Sequence, residues 1–257
     1  MENVHYVSRG EGPAVIFLHG IGGGAESFFF QLDAFAEAGY TAIAWNMPGY
    51  GGSTPLDEVT FPALATALSS LFEELSLAYA HVVGHSIGGM VLQQFAMANQ
   101  HRLSSMVLAE TSPAFGNPDG EFQRKFVAAR LAPLKAGRTM EDLAASVVPN
   151  LIGDRADPDK GVFARVCMAN VPPGVYDATM RCLVTFDGRD ALHRIGVPTL
   201  VLAGEKDTNA PVGMMERMAD KITGSEFVCL PEAGHLANIE VPDAFNRVVL
   251  DFIARHG

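Results

Sequence analysis

The sequence predicts an α/β fold: a mostly parallel central sheet flanked by helices, with a helical insertion late in the order of strands. Three observations predict it. From residue 14 to residue 109, short apolar runs alternate with longer segments of helical periodicity. These runs, such as Ala14-Val15-Ile16-Phe17-Leu18 and Ser105-Met106-Val107-Leu108-Ala109, are apolar at nearly every position, as strands covered on both faces must be. The alternation stops between about Thr111 and Arg194 and returns at Pro198.

Taken in order, residues 4 to 7 and 14 to 18 read as strands joined by the turn Gly10-Glu11-Gly12-Pro13. The second runs into His19-Gly20-Ile21-Gly22-Gly23-Gly24, a glycine-rich turn whose backbone amides face whatever sits above the sheet. A helix follows from about Glu26 to Ala38, with Phe28, Leu32 and Phe35 on its apolar face, and stops at Gly39. Thr41-Ala42-Ile43-Ala44-Trp45 is the next strand, then the loop Pro48-Gly49-Tyr50-Gly51-Gly52-Ser53 and a helical pattern over 61 to 77. An apolar run up to Gly84 and a helix to about Asn99 flank Ser86, and the strand 105 to 109 completes the first half.

The insertion, residues 111 to 194, carries scattered prolines and helical patterns near 121 to 136, 139 to 148, 162 to 169 and 176 to 186, without a strand. It is expected to lie as a cap over the open end of the sheet formed by a core of residues 1 to 110 and 195 to 257. In the second core segment, Pro198 to Ala203 and Glu226 to Leu230 read as strands, with helices over about 211 to 221 and from Pro242 to Arg255.

Composition narrows the function. Eighteen basic against 29 acidic residues give a formal charge of −11, a poor match for nucleic acid or an anionic membrane surface. No apolar stretch approaches the ~20 residues of a membrane span, and Met-Glu-Asn-Val-His lacks a leader pattern, so a cytoplasmic protein is expected. Cys167, Cys182 and Cys229 are odd in number and widely spaced, which indicates buried thiols rather than a disulfide framework or a zinc site. Nothing requires an oligomer, although the cap could form a homodimer surface.

The chemistry gathers at strand ends. Gly84-His85-Ser86-Ile87-Gly88 matches Gly-x-Ser-x-Gly between a strand and a helix, the pattern of a nucleophile elbow. Small residues two before and two after Ser86 are needed where strand and helix nearly touch, and the turn pushes the hydroxyl and the Ile87 amide toward one space. A serine hydroxyl needs a base within hydrogen-bond reach and a third group to orient that base. Of eight histidines, His235 alone directly follows the last strand, in Pro231-Glu232-Ala233-Gly234-His235. The acid is expected from another strand end: Asp207 after the penultimate strand first, with Glu110 as the alternative and Glu205 as a lesser one. Ser86, Asp207, His235 is the chain order that a triad on this type of sheet follows.

These motifs, with Pro48 to Ser53, Gly204-Glu205-Lys206-Asp207 and Gly234 to Glu240, resemble those of α/β-hydrolases of the enol-lactonase and esterase branch. The resemblance spans nearly the whole core and leaves out the cap, which it places after the sixth strand in the fold's own count. It implies Ser86 as nucleophile, His235 as base, Asp207 as orienting acid, and the amides of Ile21 and Ile87 as oxyanion hole. No metal or organic cofactor is then required, and the partner is a small-molecule ester or lactone. Carbon–carbon hydrolases of ring-cleavage products are the alternative; they usually carry tryptophan where Leu236 stands, and Leu236-Ala237-Asn238-Ile239-Glu240 looks more like 3-oxoadipate enol-lactonases. A second alternative is a non-catalytic receptor of the same fold. Enol-lactonase substrates carry a carboxylate, for which Arg124, Arg130, Arg165 and Arg181 are available in the cap. An interior lined by Phe115, Phe126, Phe163 or Met168 would instead suit a hydrophobic ester.

Overall fold

The computed structural model describes residues 3–117 and 119–256; Met1 and Glu2, the start of the N-terminal segment read above, lie outside the described residues. The elements in order are β1 (Tyr6–Arg9), β2 (Ala14–Leu18), α1 (Phe29–Glu37), β3 (Thr41–Trp45), α2 (Phe61–Glu74), β4 (Ala80–His85), α3 (Ile87–Asn99) and β5 (Leu103–Ala109). Four helices follow: α4 (Glu121–Lys135), α5 (Met140–Val147), α6 (Pro158–Ala169) and α7 (Pro173–Leu183). The chain then returns to the sheet with β6 (Thr199–Gly204), α8 (Val212–Ala219), β7 (Glu226–Leu230), α9 (Ala237–Glu240) and α10 (Pro242–Ala254).

The strands form one sheet in the order β1-β3-β2-β4-β5-β6-β7. Every pairing is parallel except β1 with β3, where Tyr6 lies opposite Trp45. The turn 10 to 13 therefore does not close a hairpin; it carries the chain past β3 to β2.

Side-chain alternation sends each strand's residues into two apolar layers. On β2, Ile16 and Leu18 join the layer with α2 and α3, while Val15 and Phe17 join the layer with α1 and α10. Both layers exclude water, which is why these strands read as continuous apolar runs. Helix starts are local: Thr60 accepts the Ala63 N–H through its side chain at the head of α2, and Thr139 and Asp142 form a capping box on α5. No helix among the described residues is long and apolar enough to cross a membrane.

The topology places the site. From β2 the chain moves to β3 on one side and then to β4 on the other, so the strand order reverses between β2 and β4. Ligands of open α/β sheets bind outside the carboxyl ends of strands at such a switch point. Leu18 pairs with Gly84 there, which sets the loop after β2 beside the loop after β4.

Candidate active site

Ser86 stands between β4 and α3 with φ 53° and ψ −121°, a conformation L residues rarely adopt. Close packing enforces it. A side chain on Gly84 would come within 2.7 Å of the Gly88 carbonyl, and one on Gly88 would collide with the Leu18 carbonyl. The Ser86 N–H donates to the Ala109 carbonyl at 3.0 Å, and the Thr111 hydroxyl donates to the Ser86 carbonyl at 2.6 Å. With its backbone clamped from β5 and its side chain not used as a helix cap, the Ser86 hydroxyl is free for another partner.

That partner is His235. Its Nε2 lies 3.0 Å from Ser86 Oγ and its Nδ1 lies 2.7 Å from Asp207 Oδ2. Asp207 Oδ1 accepts the N–H groups of Asn209 at 2.7 Å and Ala210 at 3.1 Å. Burial pushes the Asp207 carboxyl up, but the adjoining His235 and these hydrogen bonds outweigh it and hold the group below its ordinary value. Glu205 points elsewhere and accepts the Glu232 N–H at 2.9 Å. Glu110 is fully buried, makes no hydrogen bond through either carboxyl oxygen, and comes no closer to the neighbouring His85 than 4.0 Å.

Two further residues hold the His235 loop, and nothing local in the sequence singles them out for it. The Glu240 carboxylate accepts the N–H groups of Gly153 at 2.7 Å, Gly234 at 2.9 Å and Leu236 at 3.0 Å, tying the loop to the inserted helices. His85 donates from Nε2 to the His235 carbonyl at 2.7 Å. Burial, then the nearby His235, lowers its pKa to about 3, so its ring is neutral.

On the other side of Ser86, Ile87 opens α3, where a first-turn N–H has no partner within the helix. The Ile21 N–H has no backbone acceptor among the described residues, and the Ile21 carbonyl is steadied by the Tyr50 hydroxyl at 3.1 Å. His19 holds this loop from beneath. Its Nε2 accepts the Met47 N–H at 3.1 Å, which leaves the ring proton on Nδ1 to donate to the Gly20 carbonyl at 2.8 Å.

Burial lowers the His19 pKa to about 4 despite that last bond. An unfolded chain binds a proton on this ring below about pH 6.5 and the folded chain does not, so His19 withdraws stability as pH falls from 6.5 toward 4. The shift corresponds to roughly 3 kcal/mol. Glu110 works in the opposite sense, because its raised pKa adds stability as pH falls. The His19 contribution is therefore read by comparison: His19→Gln is expected to be less stable at neutral pH and to lose less on acidification, measured by denaturant midpoints from about pH 7 to about pH 4.5.

Above Ser86 and His235 lies a cavity of about 260 Å³. Met90, Phe115, Phe126, Met168, Tyr176 and Met180 make most of it apolar. Phe163, a sequence candidate for this lining, packs instead against Phe30 at 5.2 Å between ring centres. Of the four candidate arginines, Arg130 alone lines the cavity, and it is the cavity's one cationic side chain among the described residues. It lies 5.3 Å from the centre of the Phe126 ring. Arg181 is bound by Asp177 at 2.7 Å and 3.1 Å, Arg124 donates to the Asp119 carbonyl, and Arg165 is exposed.

A model of the alpha/beta hydrolase fold matches residues 13–242. The chain belongs to this family. Among solved structures, a thermophilic esterase from Thermogutta terrifontis superposes on this α/β-hydrolase with a TM-score of 0.91, at 25% identity over 100% of this chain and 95% of that one. The enol-lactonase from Burkholderia xenovorans does so with a TM-score of 0.88, at 25% identity over 98% of this chain and 97% of that one. A non-heme chloroperoxidase of Kitasatospora aureofaciens is 29% identical over 268 residues, 97% of this chain and 95% of the relative. The chain is thus an enzyme of the α/β-hydrolase type with esterase and enol-lactonase relatives.

Proposed function

We propose that this enzyme cleaves a carboxylic ester or lactone of a small molecule through an acyl-enzyme on Ser86. The observation that carries the reading is the continuous hydrogen-bonded line Ser86 Oγ to His235 Nε2 at 3.0 Å and His235 Nδ1 to Asp207 Oδ2 at 2.7 Å. His235 takes the Ser86 proton as the oxygen attacks the carbonyl, and Asp207 stabilises the imidazolium that forms. The negative oxygen of the tetrahedral intermediate is held by the Ile21 and Ile87 N–H groups, each worth about 3 to 4 kcal/mol of barrier. His235 then protonates the leaving alcohol and activates water to release the acid. Residues 111 to 194 serve as the cap that encloses the acyl group.

A largely apolar lining with Arg130 as its one cationic side chain favours a substrate with an apolar body and a carboxylate that Arg130 binds. A charge-assisted hydrogen bond contributes about 1.5 to 3 kcal/mol, so Arg130→Ala is expected to raise KM about 10- to 100-fold for a carboxylate-bearing substrate. KM for the corresponding methyl ester should change little. The test of the whole reading is kcat/KM on an enol-lactone, a saturated lactone, and short and long p-nitrophenyl esters. Faster turnover of a lactone or ester that carries a carboxylate supports it; a protein that binds these compounds and turns none of them over is a receptor, and the reading fails.

A further inference from the structure

The turn after β2 contains three glycines in a row, Gly22, Gly23 and Gly24, which have no side chains to grip their surroundings. This turn carries the Ile21 N–H proposed to hold the oxyanion, so its place must be set from its two ends. At the first end, His19 holds the Gly20 carbonyl and Tyr50 the Ile21 carbonyl. At the second end stands Ser27. Its hydroxyl donates to the Gly24 carbonyl at 2.7 Å and its N–H to the same oxygen at 3.1 Å. Between them, the Ala25 N–H donates to Asn46 Oδ1 at 2.8 Å.

Most of these holds come from one side. Asn46, Tyr50 and Met47, the partner of His19, all belong to the loop after β3, so they fix the turn relative to that loop. The Asn238 side chain comes from the other side and donates from Nδ2 to the Ser27 carbonyl at 2.8 Å. Asn238 lies on α9, directly beyond His235 and Leu236, and lines the same cavity as Ile21 and Ser27. Its own carbonyl accepts from Gln31 Nε2 at 3.0 Å, which fastens α9 to α1. One buried amide thus joins the loop of the base to the turn of the oxyanion donor, across 211 residues of sequence.

That amide is kept at a cost. Asn238 Oδ1 is buried without a hydrogen-bond partner among the described residues, while the adjoining Ala237 and Ile239 are buried and apolar. Half of the group is unsatisfied, so packing alone does not account for an amide here. Its contribution is the donor to the Ser27 carbonyl.

We propose that Asn238 is a positioning residue for the reaction: by tying the Ser27 end of the glycine turn to α9, it keeps the Ile21 N–H in step with His235. The inference rests on the serine-hydrolase reading above. Without the tie, the turn follows the loop after β3 alone, and donor and base lose their common reference.

The test compares Asn238→Leu, which keeps the volume and removes the donor, with Asn246→Leu. Asn246 also joins the C-terminal segment to α1, donating to the Phe30 carbonyl at 2.9 Å and accepting from Gln31 Nε2 at 2.9 Å, but it does not line the cavity. Both variants are expected to lose thermal stability. Only Asn238→Leu should lose kcat on a p-nitrophenyl ester, by about 10- to 100-fold and with KM far less affected, because a misplacement of about 1 Å can cost about 10² in rate.

Fluorine NMR of a trifluoromethyl ketone added to each protein, followed against pH, separates positioning from stability. The ketone carbon bonds to Ser86 Oγ, the serine proton passes to His235, and the new oxygen takes the place of the oxyanion. The pH at which that oxygen gains a proton reads how well the N–H groups hold its charge. Asn238→Leu should move this pH up by about one unit, the equivalent of a tenfold weaker hold, and Asn246→Leu should leave it at the wild-type value. An unchanged kcat, or an adduct that titrates alike in Asn238→Leu and the wild type, overturns the proposal. So does an equal shift in Asn246→Leu, since the effect then follows lost stability. If Asn238→Leu does not fold, Asn238→Ala takes its place in the same comparison. Failure of the underlying reading shows separately, as hydrolysis that survives Ser86→Ala.

Discussion

Ser86→Ala is expected to lower kcat for ester or lactone hydrolysis about a million-fold, the scale seen when the serine of such a unit is removed. The loss is large because, in the proposed scheme, the hydroxyl supplies the protein's only atom that bonds to the acyl group, and without it no acyl-enzyme forms for His235 to resolve. What remains, roughly 10³ to 10⁴ over water, comes from the oxyanion donors and from holding the substrate. The variant should fold as well as the wild type. Ser86 makes no side-chain cap on α3, its backbone bonds to Ala109 and Thr111 are untouched, and alanine bears the φ of 53° no worse than serine. Progress curves give the rate, a thermal melt gives the fold, and mass spectrometry of the quenched wild type should show an acyl adduct on Ser86 that the variant lacks. A variant that melts with the wild type and still hydrolyses the ester places the chemistry elsewhere.

Legibility in the sequence followed burial. The strands Ala14–Leu18, Thr41–Trp45 and Glu226–Leu230 match their expected bounds, and the first two are buried on both faces, so their apolar runs end where the strands end. The edge strand β1 is mostly exposed; expected over 4 to 7, it occupies Tyr6–Arg9, and its partner is β3 because pairing across a sheet is not encoded next door. The positions of Ser86, His235 and Asp207 were readable because each follows a strand, and strand ends of a parallel sheet share one edge. Strand position and chain order favour Asp207 as the partner of His235, but Glu110 also ends a strand, and only three-dimensional solvation separates the two.

The helices between β5 and β6 show the same division. They were placed to within a few residues, but Arg130 could not be told from Arg124, because helix α4 has one buried residue, Leu131, and so little apolar stripe to define its inner face. Tyr176 and Met180 reach the cavity, and Glu240 reaches Gly153, through contacts made far along the chain, for which no local pattern exists.

Asp207→Asn is expected to lower kcat about 10⁴-fold while leaving KM nearly unchanged. The geometry dictates how. Asparagine keeps one oxygen where Asp207 Oδ1 accepts from Asn209 and Ala210, so its amide nitrogen falls where Oδ2 meets His235 Nδ1. A donor now faces Nδ1, the ring must accept there, and its proton moves to Nε2. His235 then donates toward Ser86 Oγ instead of accepting from it, and the base is occupied before the reaction begins. KM is spared because Thr208, Asn209 and Ala210 line the cavity and Asp207 does not. Nitrogen-edited NMR of the imidazole should find the proton on Nδ1 in the wild type and on Nε2 in the variant. A 10⁴-fold loss with the proton still on Nδ1 would mean that the missing charge, not the tautomer, accounts for the effect, and would make the Asp207 carboxylate an electrostatic rather than an orienting group.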